Sequence, residues 1–148
     1  MTSKNAIATS ISDLIQINYE RMAAFDKASR LSLDNELKSY FEAKAEESEQ
    51  HIEELQTMIP GVEVVQNGNA RKSFLPACKI LDNALILKKF PVLLDSARSI
   101  EKHMFEWYQK MLDGLVNLPA DLASRLQAQL ENVKNGQVQL KNLRTAFV

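Results

Sequence analysis

The chain has 148 residues, of which 45% are apolar and 25% charged, with a formal charge of −1; this length suits one domain burying roughly 70% of its unfolded surface. Four Gly, four Pro and 7% aromatics exclude collagen-like and low-complexity chains and leave too few turn residues and rings for most sandwiches and barrels. The lone Cys78 rules out an internal disulfide or a cysteine-built zinc cluster, and the near-zero charge gives no global pull toward nucleic acid or acidic membrane.

Residues 1–10 contain Lys4 but no apolar signal-peptide core, and no run approaches the roughly 18 apolar residues of a membrane span. The expectation is a cytoplasmic chain. Ile11, Leu14, Ile15, Asn18, Met22 and Phe25 then recur at helical spacing, with Ser10 and Asp13 as a plausible N-cap pair, predicting a first helix over about 10–30. Leu37, Phe41, Ala45, Ser48, Ile52, Leu55 and Ile59 predict a second over about 33–59, stopped by Pro60-Gly61. The stretch PGVEVVQNGNARK, residues 60–72, lacks helical period and reads as the longest loop. A short helix follows over 74–89, with Pro76 in its first turn, and Pro91 ends or kinks it. Leu93, Leu94, Ala97, Glu101, Met104, Tyr108, Met111 and Leu115 predict a third long helix over about 92–116. Gly114 and Asn117 close it, and Pro119 with Asp121 opens a fourth that carries Leu122, Leu126, Val133, Leu140 and Phe147 to about 146.

Helices of 20–28 residues are roughly 30–42 Å long, the proportions of a four-helix bundle. Short links make the first and second helices antiparallel neighbours, and likewise the third and fourth, whereas the segment 60–91 must cross over. The expected fold is a single all-α domain over 1–148: an antiparallel, ferritin-like four-helix bundle with one long crossover containing a short extra helix.

Ferritin-like metal proteins turn inward a Glu from each of two helices and Glu-x-x-His from the other two. At about 100° per residue the inward stripes here hold Asn18 on the first helix, with Glu20 on the opposite side; Ser48, with His51 at its edge, on the second; Glu101 on the third, with His103 and Glu106 pointing away; and Gln129, Val133, Gly136 and Gln137 on the last. SDLIQINYERMAAFDKA, EESEQHIEEL, SIEKHMFEWYQKML and the LKNLRTA ending together resemble the ferritin-like superfamily. They come closer still to an uncharacterised bacterial family of ferritin-like four-helix bundles, a domain of unknown function. The resemblance covers about residues 10–146. It implies that Asn18/Phe25 and Glu101/Tyr108 stand where relatives have an inward Glu seven residues before an aromatic. It also places Ser48-Glu49-Gln50-His51 on the Glu-x-x-His element, and Val133–Gly136, or the next register, on its counterpart. Of six inward ligand positions only His51 and Glu101 match, which implies a degenerate di-iron site: too little charge and too few donors remain for two divalent ions.

Two functions follow. The leading one is a non-enzymatic bundle that has lost its di-metal centre, binds no cofactor and serves a structural or interaction role. The alternative is an oxidoreductase with an altered iron or manganese site, in which His51 and Glu101 ligate and Glu47 or Gln137 completes the shell. On the first reading His51 and Glu101 form a buried ion pair or hydrogen bond, and Asn18 and Ser48 join them or Gln137 in a network between helices. Met22, Met58, Met104 and Met111 read as gap-filling core, and Cys78 as structural. Arg71, Lys72, Lys79, Lys88, Lys89 and Arg98 gather loosely around the crossover without interleaved aromatics, so nucleic acid is not an expected partner. Residues 1–70 hold 6 Lys+Arg against 12 Asp+Glu, and residues 71–148 hold 12 against 7. That asymmetry, with Trp107 off the stripe centre, points to a homo-oligomer.

Overall fold

The computed structural model describes residues 4–59, 61, 69–115 and 117–147. Among them the chain is all-α, with five helices and no strand: α1 (Lys4–Leu31), α2 (Asn35–Met58), α3 (Asn69–Leu87), α4 (Phe90–Gly114) and α5 (Ala120–Phe147). None is long and apolar enough to cross a membrane. The sequence expectations for residue 60, for 62–68 and for the side chain of Phe147 lie outside the described residues.

Local chemistry fixes most of the boundaries. Asp34, in extended conformation, caps α2 by accepting a hydrogen bond from Leu37 N at 2.8 Å, satisfying one of the donors that every helix start leaves open. Gly61 takes φ +83° just past the end of α2. Lys88 turns left-handed at φ 56° between α3 and α4, Pro91 sits in the first turn of α4, and Asn117 at φ 62° turns the chain toward α5. Two expectations need correction. Helix α1 begins six residues before Ser10, because Ile7 continues the buried stripe. Helix α3 starts at Asn69 rather than Phe74, so the loop is shorter than its composition suggests and Pro76 lies in the helix interior. Of the two roles expected for Pro91, a stop or a kink, the break is the one seen: α3 ends at Leu87 and Pro91 lies in the first turn of α4.

Helix α1 packs on α2 and α3, α3 on α4, and α4 on α5, with lighter contacts of α1 with α4 and of α2 with α5. Contacts between elements set the directions. Asn18 meets His51 while Phe25 meets Phe41, so α1 and α2 are antiparallel. Arg21 meets Glu101 while Asn18 meets Tyr108, so α1 and α4 are antiparallel too. Glu20 pairs with Arg71 and Lys27 with Asp82, which lays α3 parallel to α1.

On α1, α2, α4 and α5 one line of buried residues keeps a 4-3 spacing. They are Leu14, Asn18, Arg21 and Phe25 on α1; Leu37, Phe41, Lys44, Ser48, His51 and Leu55 on α2; Leu94, Ala97, Glu101, Met104, Tyr108 and Met111 on α4; and Leu122, Leu126, Gln129, Val133, Gly136 and Leu140 on α5. All are buried. A 3.5-residue period of this kind lets neighbouring helices stay in contact by coiling gently around one another.

Candidate functional site

Two polar layers interrupt the apolar core at mid-height. The first is built on Arg21, whose side chain is fully buried. Its guanidinium grips Glu101 with two parallel bonds, Nε to Oε1 at 2.7 Å and Nη2 to Oε2 at 2.8 Å. This is the fork geometry in which arginine binds a carboxylate most strongly. Nη1 donates to Ser48 Oγ at 2.9 Å and to Lys44 O at 3.4 Å. Glu47 Oε2 lies 2.8 Å from Nη2 without hydrogen-bond alignment, while Lys44 Nζ donates to Glu47 Oε1 at 3.1 Å. Tyr40 closes the layer, its hydroxyl 2.9 Å from Glu101 Oε2 and 3.2 Å from Gly136 O. Two cations thus face two carboxylates. Burial alone works against the Arg21 charge, but Glu101, by charge and hydrogen bond, and then Glu47 raise its pKa above the ordinary arginine value. Burial and the Glu101 carboxylate likewise push the Tyr40 hydroxyl well up, so it stays protonated and donates.

The second layer is a closed ring of hydrogen bonds. His51 Nδ1 meets Asn18 Oδ1 at 3.2 Å; Asn18 Nδ2 donates to Tyr108 OH at 2.9 Å and to Leu14 O at 2.8 Å; Tyr108 donates to Gln129 Oε1 at 2.6 Å; Gln129 Nε2 returns to His51 O at 3.3 Å. Asn132 Nδ2 reaches His51 Nε2 at 3.3 Å. Asn18 Nδ2 and Tyr108 OH each have their donor role spent elsewhere in the ring. The Asn18 oxygen must therefore accept from an Nδ1–H, and Nε2 must accept from Asn132, which assigns a neutral imidazole with the proton on Nδ1. Burial, then the Arg21 and Lys44 charges, lower the His51 pKa to about 3.

Helical periodicity correctly turns Asn18, Ser48, His51, Glu101 and Gln129 inward. The expected His51–Glu101 pairing is overturned: Glu101 belongs to Arg21, and His51 to the amides of Asn18 and Asn132. Sequence reasoning passed over Arg21, and with it Tyr40 and Lys44. The signal was present, since Arg21 stands three residues after Asn18 and four before Phe25 on the same stripe. Glu20 is half-buried under α3, held by Arg71 at 2.7 Å. His103 donates locally, from Nδ1 to Ser99 O at 2.8 Å. Trp107 is half-buried beside a groove lined by Ser10, Asp13 and Met111, with Lys110 over its ring. Cys78 is buried, its thiol pushed up to about 12 by burial and then by Glu20 and Asp82, which suits a structural role.

As arranged, His51, Glu101 and Glu47 do not form a metal-binding set. Among the described residues no group of three or more His, Cys, Asp or Glu is placed to hold an ion. Both oxygens of Glu101 are already hydrogen-bonded, Glu47 faces Arg21 and Lys44, and a divalent cation here would sit against two positive charges.

Gly136 completes the layer by what it lacks. A Cβ at this position would stand 2.5 Å from Glu101 Oε2 and 3.1 Å from Tyr40 OH, and that carboxylate cannot swing aside without leaving Arg21. Gly136→Ala is therefore expected to lower unfolding free energy by about 1–3 kcal/mol in urea denaturation. On helix propensity alone the same change should raise stability by about 1 kcal/mol, so the sign of the measured effect decides.

Searches against protein-family models, curated proteins and solved structures found no match for this chain.

Proposed function

We propose that the chain is a ferritin-like helical bundle in which a buried arginine–carboxylate cluster has replaced the di-metal centre, leaving a non-catalytic, structural or interaction protein. The observation that carries this reading is the Arg21 guanidinium, fully buried and bidentate on Glu101. A fixed organic cation answers the carboxylate that a metal ion would otherwise neutralise, and it carries its own hydrogen bonds to Ser48 and the α2 backbone. The antiparallel arrangement of α1 with α2 and α4, and the long connection from α2 to α4 that contains α3, support the ferritin-like part of the reading. The remaining polar groups favour no acid–base chemistry near neutrality: His51 stays neutral down to about pH 3, and burial holds the Tyr108 hydroxyl protonated.

Metal analysis tests it. Protein produced with iron and manganese supplements is expected to carry far less than one ion per chain and to melt at the same temperature with and without chelator. Stoichiometric metal that disappears in His51→Ala would overturn the reading in favour of an oxidoreductase with an altered iron or manganese site.

A further inference from the structure

The surface carries two patches of opposite sign. Glu42, Glu46, Glu49 and Glu53 lie exposed along the outer side of α2, spaced by four, three and four residues, so they form one acidic stripe about 16 Å long. None of them makes an ion pair among the described residues; the α2 carboxylates that do are Glu47, bound inward to Arg21 and Lys44, and Glu54, bound to Arg125. Across the molecule, a groove of about 530 Å³ runs between α4 and α5, lined by Arg98, Lys102, Lys134 and Lys141, with Asp95 the one acid in its lining. Arg98 and Lys102 have no ion-pair partner among the described residues, and Lys134 reaches only Glu131, at 3.9 Å. Val138, 56% exposed, adds an apolar spot to the same groove.

We propose that the acidic stripe of α2 docks into the basic α4–α5 groove of a second copy of this chain. The two patches match in kind and in scale. Arg98 and Lys102 stand about 6 Å apart along α4, and Lys134 and Lys141 about 10 Å apart along α5, so the groove meets two or three successive carboxylates of the stripe. Within one molecule the patches stay separate, because α2 packs on α1 and α5 and turns its stripe to solvent. Between molecules the formal charge of −1 offers almost no long-range repulsion. The contact joins two different surfaces, so it is of the head-to-tail kind, and being charge-dominated it is reversible and salt-sensitive. It names a partner for the interaction role proposed above. It does not depend on the interior ion pair, so metal analysis and the association measurement succeed or fail separately.

Two charge-reversal variants test the proposal, Glu46→Lys/Glu49→Lys on the stripe and Arg98→Glu/Lys102→Glu in the groove. All four positions are exposed, and far-UV circular dichroism confirms folding of each variant. By light scattering, the wild-type particle mass should rise with concentration at about 20 mM salt and fall to that of a monomer at about 0.5 M. Each variant alone should associate at least about tenfold more weakly, since two of its facing patches now repel. Mixing them should restore a one-to-one complex, because the wild-type stripe of the groove variant meets the wild-type groove of the stripe variant. A wild-type chain that stays monomeric at low salt, a variant that associates like the wild type, or a mixture that remains monomeric would each overturn the proposal.

Discussion

Arg21→Met is expected to lower unfolding free energy by about 3–5 kcal/mol, because it strands the Glu101 carboxylate in a fully buried position. For a chain of this length that is a fall of roughly 10–15 °C in melting temperature. The loss does not measure what the ion pair contributes: removing both charges from the interior also removes the penalty for desolvating them. The double variant Arg21→Met/Glu101→Gln should therefore recover at least half of the loss, since glutamine keeps an acceptor for Tyr40 and needs no counter-charge. Thermal and urea denaturation of the single and double variants, with Glu101→Gln alone, complete the cycle. A single variant within about 0.5 kcal/mol of the wild type would show that the cluster is not the electrostatic anchor of the core.

Acid should destabilise the protein through His51. The imidazole is 1% exposed and held neutral, its pKa lowered from the ordinary 6.5 to about 3. Above pH 6.5 neither the folded nor the unfolded chain protonates it, and its contribution to stability is complete. As the pH falls below 6.5 the unfolded chain takes up a proton that the folded chain refuses, so stability drops until about pH 3. The slope from this one group is about 1.4 kcal/mol per pH unit, up to about 5 kcal/mol over the whole interval. His51→Gln keeps an amide in the ring but has nothing to protonate. Measured by urea denaturation at successive pH values, the stability of the wild type should therefore fall more steeply than that of the variant between pH 6 and 4, by about one proton. Parallel curves would exclude His51 as the titrating group.

Much of this core was legible in the sequence because helical periodicity is a statement about direction. It turned Asn18, Ser48, His51, Glu101 and Gln129 inward, where they are buried. Periodicity does not say which inward groups meet across helices, so chemical sense alone matches His51 with Glu101, although each has a better partner within its own layer. Arg21 was missed for a different reason: a charged residue on an apolar stripe is ordinarily placed at its solvent edge, and only the carboxylate from α4 makes its burial tolerable. The early start of α3 was hidden because Asn69, Arg71 and Lys72 read as loop, although Ala70 and Phe74 are fully buried. The α4–α5 groove was equally invisible, since its cations come from two segments more than thirty residues apart in the chain.

The 4-3 spacing of the four inner stripes has a consequence for how the chain finds its fold. A repeat that returns every seven residues looks nearly the same to its neighbours after one helix slides by about 10 Å along its axis, so apolar packing alone would admit several misaligned bundles of similar energy. The two polar layers remove that degeneracy. If α1 slid by one heptad, Arg21 would leave Glu101 and lie against apolar side chains, and Asn18 would lose Tyr108 and His51. Only one alignment of the helices gives Arg21, Glu101, Asn18 and His51 their partners together, and the competing ones are penalised by several unmet groups at once.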